Sequence, residues 1–127
     1  MSSRCPCGTG LPYDECCGPR HDGTVPAPTA EALMRSRYSA FVVGDPGYLV
    51  ATWHPDTRPP SLELDEDIRW TGLDILDVQG GGLLAAEGVV EFRASHRRDG
   101  RPGIQQERSR FTKVGGRWHY LDGVATG

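Results

Sequence analysis

Residues 107–122 read ERSRFTKVGGRWHYLD, and the orientation of this stretch decides what the chain can enclose. Gly115 and Gly116, set between two alternating runs, form a two-residue hairpin turn. That turn puts Val114 opposite Arg117, Phe111 opposite Tyr120 and Ser109 opposite Asp122. Successive side chains of a strand point to opposite faces. One face therefore carries Glu107, Ser109, Phe111, Lys113, Trp118, Tyr120 and Asp122. The other carries Arg108, Arg110, Thr112, Arg117 and His119. Only the first holds aromatic residues, so it is expected to meet the core.

Upstream of the hairpin, strand-like runs cover 70–79, 83–95, 104–114 and 117–124, broken by turn signals at 80–82, 97–103 and 115–116. This spacing predicts an antiparallel meander. Helices come before it. Thr29 is a suitable N-cap, and Met34, Tyr38, Phe41 and Val42 mark one helical face. Asp45 and Pro46 can open a second, shorter helix with Leu49 and Trp53 one turn apart, and Pro55 ends it and leaves His54 outside. Helices followed by a run of strands specify an α+β domain.

Arg37 falls inside the apolar arc of the first helix, in one row with Leu33 and Phe41. A buried guanidinium requires a carboxylate or several acceptors. Glu107 or Asp122 on the inner face is the expected partner, with Ser109 completing a buried polar network. The competing expectation is a hollow walled by Tyr38, Trp53, Trp118 and Tyr120, in which one of these carboxylates binds a ligand or acts as a base. The sequence shows no nucleophile beside a base, no glycine-rich phosphate loop and no open metal site, so no enzymatic activity is assigned.

All four cysteines lie in CPCGTGLPYDECCGP, residues 5–19. Neither Cys5–Cys7 nor Cys16–Cys17 can close an ordinary disulfide without strain. Two tight pairs joined by eight residues suit a tetrahedral thiolate-bound ion, with zinc first among the candidates. Bridges between the pairs, free redox thiols and an iron–sulfur centre are the alternatives. Four protein ligands would close the coordination sphere, which makes such a metal structural. Arg4 and Arg20 flank the cluster as candidates to offset its negative charge. His21 is expected as an exposed residue of a linker, 21–28, between a metal element at 1–20 and a main domain at 29–127.

CPCGTGLPYDECCG resembles the SEC-C motif, with Thr9 in the usual serine position. The resemblance implies zinc on Cys5, Cys7, Cys16 and Cys17 and a role in protein–protein contact. Over the whole chain, AEALMRSRYSAFV, YLVATWHP, WTGLDIL, VEFRA, ERSRF and RWHYLDG follow in the order found in the YchJ family of small bacterial proteins. That likeness implies a nuclear transport factor two-like fold, a cone of curved antiparallel sheet packed on helices. It points to Arg37, Tyr38, Trp53, His54, Glu107, Ser109, Trp118, Tyr120 and Asp122. The scaffold serves enzymes and non-enzymatic binders alike, so it implies no activity. Some relatives carry a zinc element at each end, whereas this chain has one.

The formal net charge is −3 over 127 residues, which argues against nucleic-acid binding by bulk charge. Arg93, His96, Arg97, Arg98 and Arg101 crowd one hairpin, but no aromatic residues interleave with them as single-strand binders require. No apolar run approaches a membrane span and no signal pattern opens the chain. The expected compartment is the cytoplasm. The oligomeric state is left open, with dimerisation through the sheet one outcome consistent with the fold.

Overall fold

A computed structural model describes residues 4–126. A 3-10 turn (Tyr13–Glu15) and a short helix α1 (Cys17–His21) precede α2 (Ala30–Val43) and α3 (Pro46–Ala51). Four strands follow: β1 (Ile68–Gly80), β2 (Glu87–Arg98), β3 (Arg101–Val114) and β4 (Arg117–Ala125). They form one antiparallel meander in sequence order. The α+β class expected from the sequence is what the chain adopts. Among the described residues no helix is long and apolar enough to cross a membrane.

Local chemistry sets the ends of α2. Thr29 Oγ1 accepts from the Ala32 N–H at 3.0 Å, and Gly44, at φ 79°, closes the helix by donating to Ala40 O. Asp45 Oδ1 then caps α3 by accepting from Tyr48 N. Ala30, Leu33, Met34 and Tyr38 of α2 pack on Val90, Phe92, Ala94, Phe111 and Trp118 of the sheet. Burial of each large apolar side chain in this set contributes about 1.5–3 kcal/mol.

Two turns are tighter than the rest. Gly115 and Gly116 both have positive φ, as the two-residue turn requires, and so do Asp99 and Gly100. The second pair extends β2 and β3 through residues expected as loop, because Asp-Gly accepts the left-handed backbone that a longer connection would otherwise provide. At the other end, β2 starts at Glu87 rather than near residue 83.

Curvature comes from bulges. Thr71 and Leu76 in β1 and Leu121 in β4 are extra residues with no opposite number, and each increases the local bend and twist. The loop end of the β1–β2 hairpin lies against the start of α2, where Ala30 N donates to Gly81 O at 3.0 Å. Gly88 is required at this approach: a Cβ there would stand 2.5 Å from the Gly81 Cα.

Candidate metal centre and the buried arginine

The first cysteine pair sits on a tight loop. Cys5 N donates to Leu11 O at 2.8 Å, Gly8 N donates to Cys5 O at 3.3 Å, and Gly8 and Gly10 adopt φ of 88° and 85°, angles that glycine reaches without a Cβ clash. The second pair is delivered by the 3-10 turn and the first residue of α1. All four Sγ atoms lie within 4.8 Å of one another, and the four residues are only 0–6 % exposed.

These positions fit a metal ion and not a disulfide. Thiolates about 2.3 Å from a tetrahedral centre lie about 3.8 Å apart. The Cys7–Cys16 and Cys16–Cys17 sulfurs are 3.6 and 3.9 Å apart, whereas a disulfide needs about 2.05 Å. Thr9 completes the nest, its hydroxyl 3.2 Å from Cys16 Sγ and 3.6 Å from Cys7 Sγ. Hydrogen bonding from Cys17 pushes the Cys7 thiol down to about 4. The same interaction, then burial, pushes Cys17 up; burial first raises Cys16. A metal ion takes up sulfur as thiolate, so loading this cluster releases thiol protons.

The cysteine element is fastened to α2. Arg35 Nη1 donates to Cys7 O at 2.6 Å while its Nε bonds Glu31. Cys5 Sγ lies 3.5 Å from Ser39 Oγ. His21 is no exposed linker residue. It is half-buried, with Nε2 donating to Ser36 O at 2.8 Å and Nδ1 accepting from the Tyr13 hydroxyl at 2.6 Å. The carbonyl can only accept, which assigns the ring proton to Nε2. The His21 ring meets Tyr48 edge-on at 4.7 Å, and the Tyr48 hydroxyl is 2.7 Å from Ser36 Oγ. Arg4, expected beside the cluster charge, instead reaches Gly10 O at 3.2 Å. The cation that touches the cysteine backbone is Arg35. Its spacing from Glu31 is the one trace it leaves in the sequence.

Arg37 is buried, at 5 % exposed, but the carboxylate partner expected for it is not what it finds. Nη1 donates to Leu49 O at 2.8 Å and to Thr52 Oγ1 at 2.7 Å. Its guanidinium carbon lies 4.7 Å from the Tyr120 ring centre and 5.3 Å from that of Trp53. Those rings meet edge to face at 5.2 Å. Among the described residues Arg37 makes no ion pair. Burial lowers its pKa to about 10, which leaves it charged at neutral pH.

Glu107 stays on the inner face, one ring away. Its Oε1 accepts from Ser109 Oγ at 2.8 Å and from the Tyr120 hydroxyl at 3.1 Å. Burial first, then this carboxylate, raises the Tyr120 pKa. The Glu107 side chain lies where a Cβ on Gly123 would be, 2.1 Å from its Oε1. Tyr38 packs edge-on against Trp70 at 6.3 Å. Trp118 is buried and donates from Nε1 to Pro28 O at 3.2 Å. His54 stands at the margin: its N–H donates to Tyr120 O at 2.7 Å and its Nδ1 accepts from Asp56 N at 3.0 Å.

Asp122 is the residue that the hairpin reading misplaces. The bulge at Leu121 shifts the register, so Ser109 faces Gly123 and Asp122 faces Arg110. A one-residue slip transfers a side chain to the other face. Asp122 thus lies on the outer surface, bonded to Arg110 through both carboxylate oxygens, and that hydrogen bonding lowers its pKa. Asp122→Asn is therefore expected to leave the thermal melt nearly unchanged, with the Glu107–Ser109–Tyr120 bonds intact. A loss of stability matching that of Ser109→Ala would return Asp122 to the interior.

Residues 1–19 match the SEC-C motif, and residues 29–123 match the family described as YchJ, middle NTF2-like domain. A UPF0225 protein of Streptomyces coelicolor is 57% identical over 94% of this chain and 93% of its own length. One from Corynebacterium glutamicum is 52% identical over 97% and 98%. The solution structure of a SEC-C motif containing protein from Rhodopseudomonas palustris is similar across 100% of both chains, with a TM-score of 0.83 and 37% identity. The crystal structure of a SEC-C motif containing protein from Psychrobacter arcticus covers 98% of this chain and 84% of its own, with a TM-score of 0.78 and 31% identity. With its cysteine cluster folded onto a curved four-stranded α+β domain, this chain belongs to the UPF0225, or YchJ, family of SEC-C and NTF2-like proteins.

Proposed function

We propose that the chain is a cytoplasmic zinc protein in which the metal is structural, bracing residues 4–21 against α2. What carries the reading is the closure of the cluster: four mutually adjacent sulfurs, all buried, leave no coordination position for a reacting water. Unpaired clustered thiols suit a reducing compartment. The surface around Leu11, 48 % exposed, is reserved in this reading for contact with another protein. Elemental analysis of protein purified under reducing conditions should find about one zinc per chain, retained on dialysis. Cobalt substitution should give the spectrum of a tetrahedral four-sulfur site. Stoichiometric disulfides, or a cobalt spectrum with fewer than four sulfur donors, would overturn the proposal.

The second expectation, chemistry in a hollow beneath α2, has less support. Arg37, Tyr38, Ser109, Phe111 and Trp118 are all buried; Arg37 donates to Leu49 O and Thr52 Oγ1, Trp118 to Pro28 O, and Ser109 to Glu107. Their contacts are those of a packed interior holding one unpaired cation.

A further inference from the structure

A hollow of about 420 Å³ opens elsewhere, between the end of α1 with the loop after it, α3, and the first residues of β4. Its size falls within the range of small-molecule sites. Leu33 and Trp118 contribute apolar wall, and Arg20, Arg117 and His119 line it as well. Both guanidiniums lack a side-chain hydrogen bond or ion pair among the described residues. Arg20 Nε is moreover buried without any acceptor. A buried donor left unpaired is an unfavourable arrangement, and it marks a guanidinium whose bonding the fold does not complete.

The carboxylates nearest to hand do not supply that acceptor. Asp22 and Asp45 also border the hollow, but each is turned to its own backbone. Asp22 Oδ1 accepts from Thr24 N at 2.8 Å and Asp45 Oδ1 from Tyr48 N at 3.1 Å. His119 donates from Nδ1 to Arg117 O at 2.9 Å, so that nitrogen is already engaged. Two unpaired guanidinium forks beside apolar wall match one ligand chemistry. Forked N–H donors recognise carboxylate and phosphate oxygens in pairs.

We propose that this hollow binds a small organic anion, a carboxylate or phosphate on an apolar body, held by Arg20 and Arg117. Because α1 supplies one wall, the site exists only while the cysteine element is docked, and it is distinct from the buried Arg37.

The test is a titration of the metal-loaded full chain with benzoate, phenyl phosphate and inorganic phosphate at constant ionic strength, followed by nuclear magnetic resonance. The Arg20 Nε–H and Trp118 indole signals should shift saturably with an aryl anion, with a dissociation constant of about 1 mM or tighter. Whether benzoate or phenyl phosphate binds more tightly identifies the oxyanion. Arg20→Gln and Arg117→Gln, the latter at an exposed strand end, should each weaken binding about tenfold or more, read from Trp118. The proposal is overturned if neither aryl anion gives a saturable shift by about 20 mM. It is equally overturned if both variants bind as the parent does, or if inorganic phosphate binds as tightly as phenyl phosphate.

Discussion

Stripping the metal, or replacing Cys16 and Cys17 together with serine, should disorder residues 4–21 and also lower the melting temperature of the rest of the chain. The first effect follows from size. A segment this short cannot bury enough surface to fold alone, and zinc binding contributes about 10–16 kcal/mol in zinc-finger peptides. The second effect follows from docking. Losing the element removes the Arg35–Cys7 and His21–Ser36 bonds and opens the side of α2 on which Ser36 and Ser39 are wholly buried. At about 1 kcal/mol per net hydrogen bond the loss is roughly 2–3 kcal/mol. For a domain of this size each kcal/mol lowers the midpoint by about 4–8 °C. Amide spectra and a thermal melt, with and without chelator, measure both. An unchanged melt would mean that the element is an appendage whose contacts with α2 carry no energy. Retained amide dispersion in residues 4–21 without metal would remove the structural role itself.

That coupling shows how far the sequence could be read. The cysteine cluster was legible because cysteine spacing restricts the covalent and coordinate options by itself, before any tertiary contact forms. The hairpin turn was legible because Gly-Gly admits positive φ at two successive positions, and the register holds from Val114–Arg117 to Phe111–Tyr120. It fails at Leu121. A bulge adds a residue without interrupting apolar–polar alternation strongly enough to mark itself, and everything beyond it changes face. The clue lay in composition: Gly123 opposite Ser109 leaves room for the Glu107 side chain, and Asp122 opposite Arg110 makes an opposite-charge pair. Ser36, Ser39 and His21 were hidden for another reason. They are polar residues buried or half-buried against a second element, and helical periodicity counts only the apolar face that meets the sheet.

Arg37 offers the sharper experiment, because the two expectations for it order three substitutions differently. Arg37→Ala removes the Leu49 and Thr52 bonds and leaves a void beside the Trp53 and Tyr120 rings. Cavity formation at such a site costs about 2–5 kcal/mol, and the stranded Leu49 carbonyl adds about 1–3 kcal/mol. Relief of the guanidinium's desolvation offsets several kcal/mol of this sum, so a net loss of about 2–4 kcal/mol is expected. Arg37→Met fills the void and gains the same relief, leaving the carbonyl as the main penalty, and should fall within about 1 kcal/mol of the parent. Arg37→Lys keeps a charge but loses the planar fork that lies over both rings and reaches two acceptors at once. Its ammonium remains desolvated with fewer bonds, so Lys should be tolerated less well than Met. Denaturant unfolding of the three variants gives the order directly. If Lys proves milder than Met, the interior demands the positive charge itself, and Arg37 belongs to a site that holds an anion rather than to a packed core.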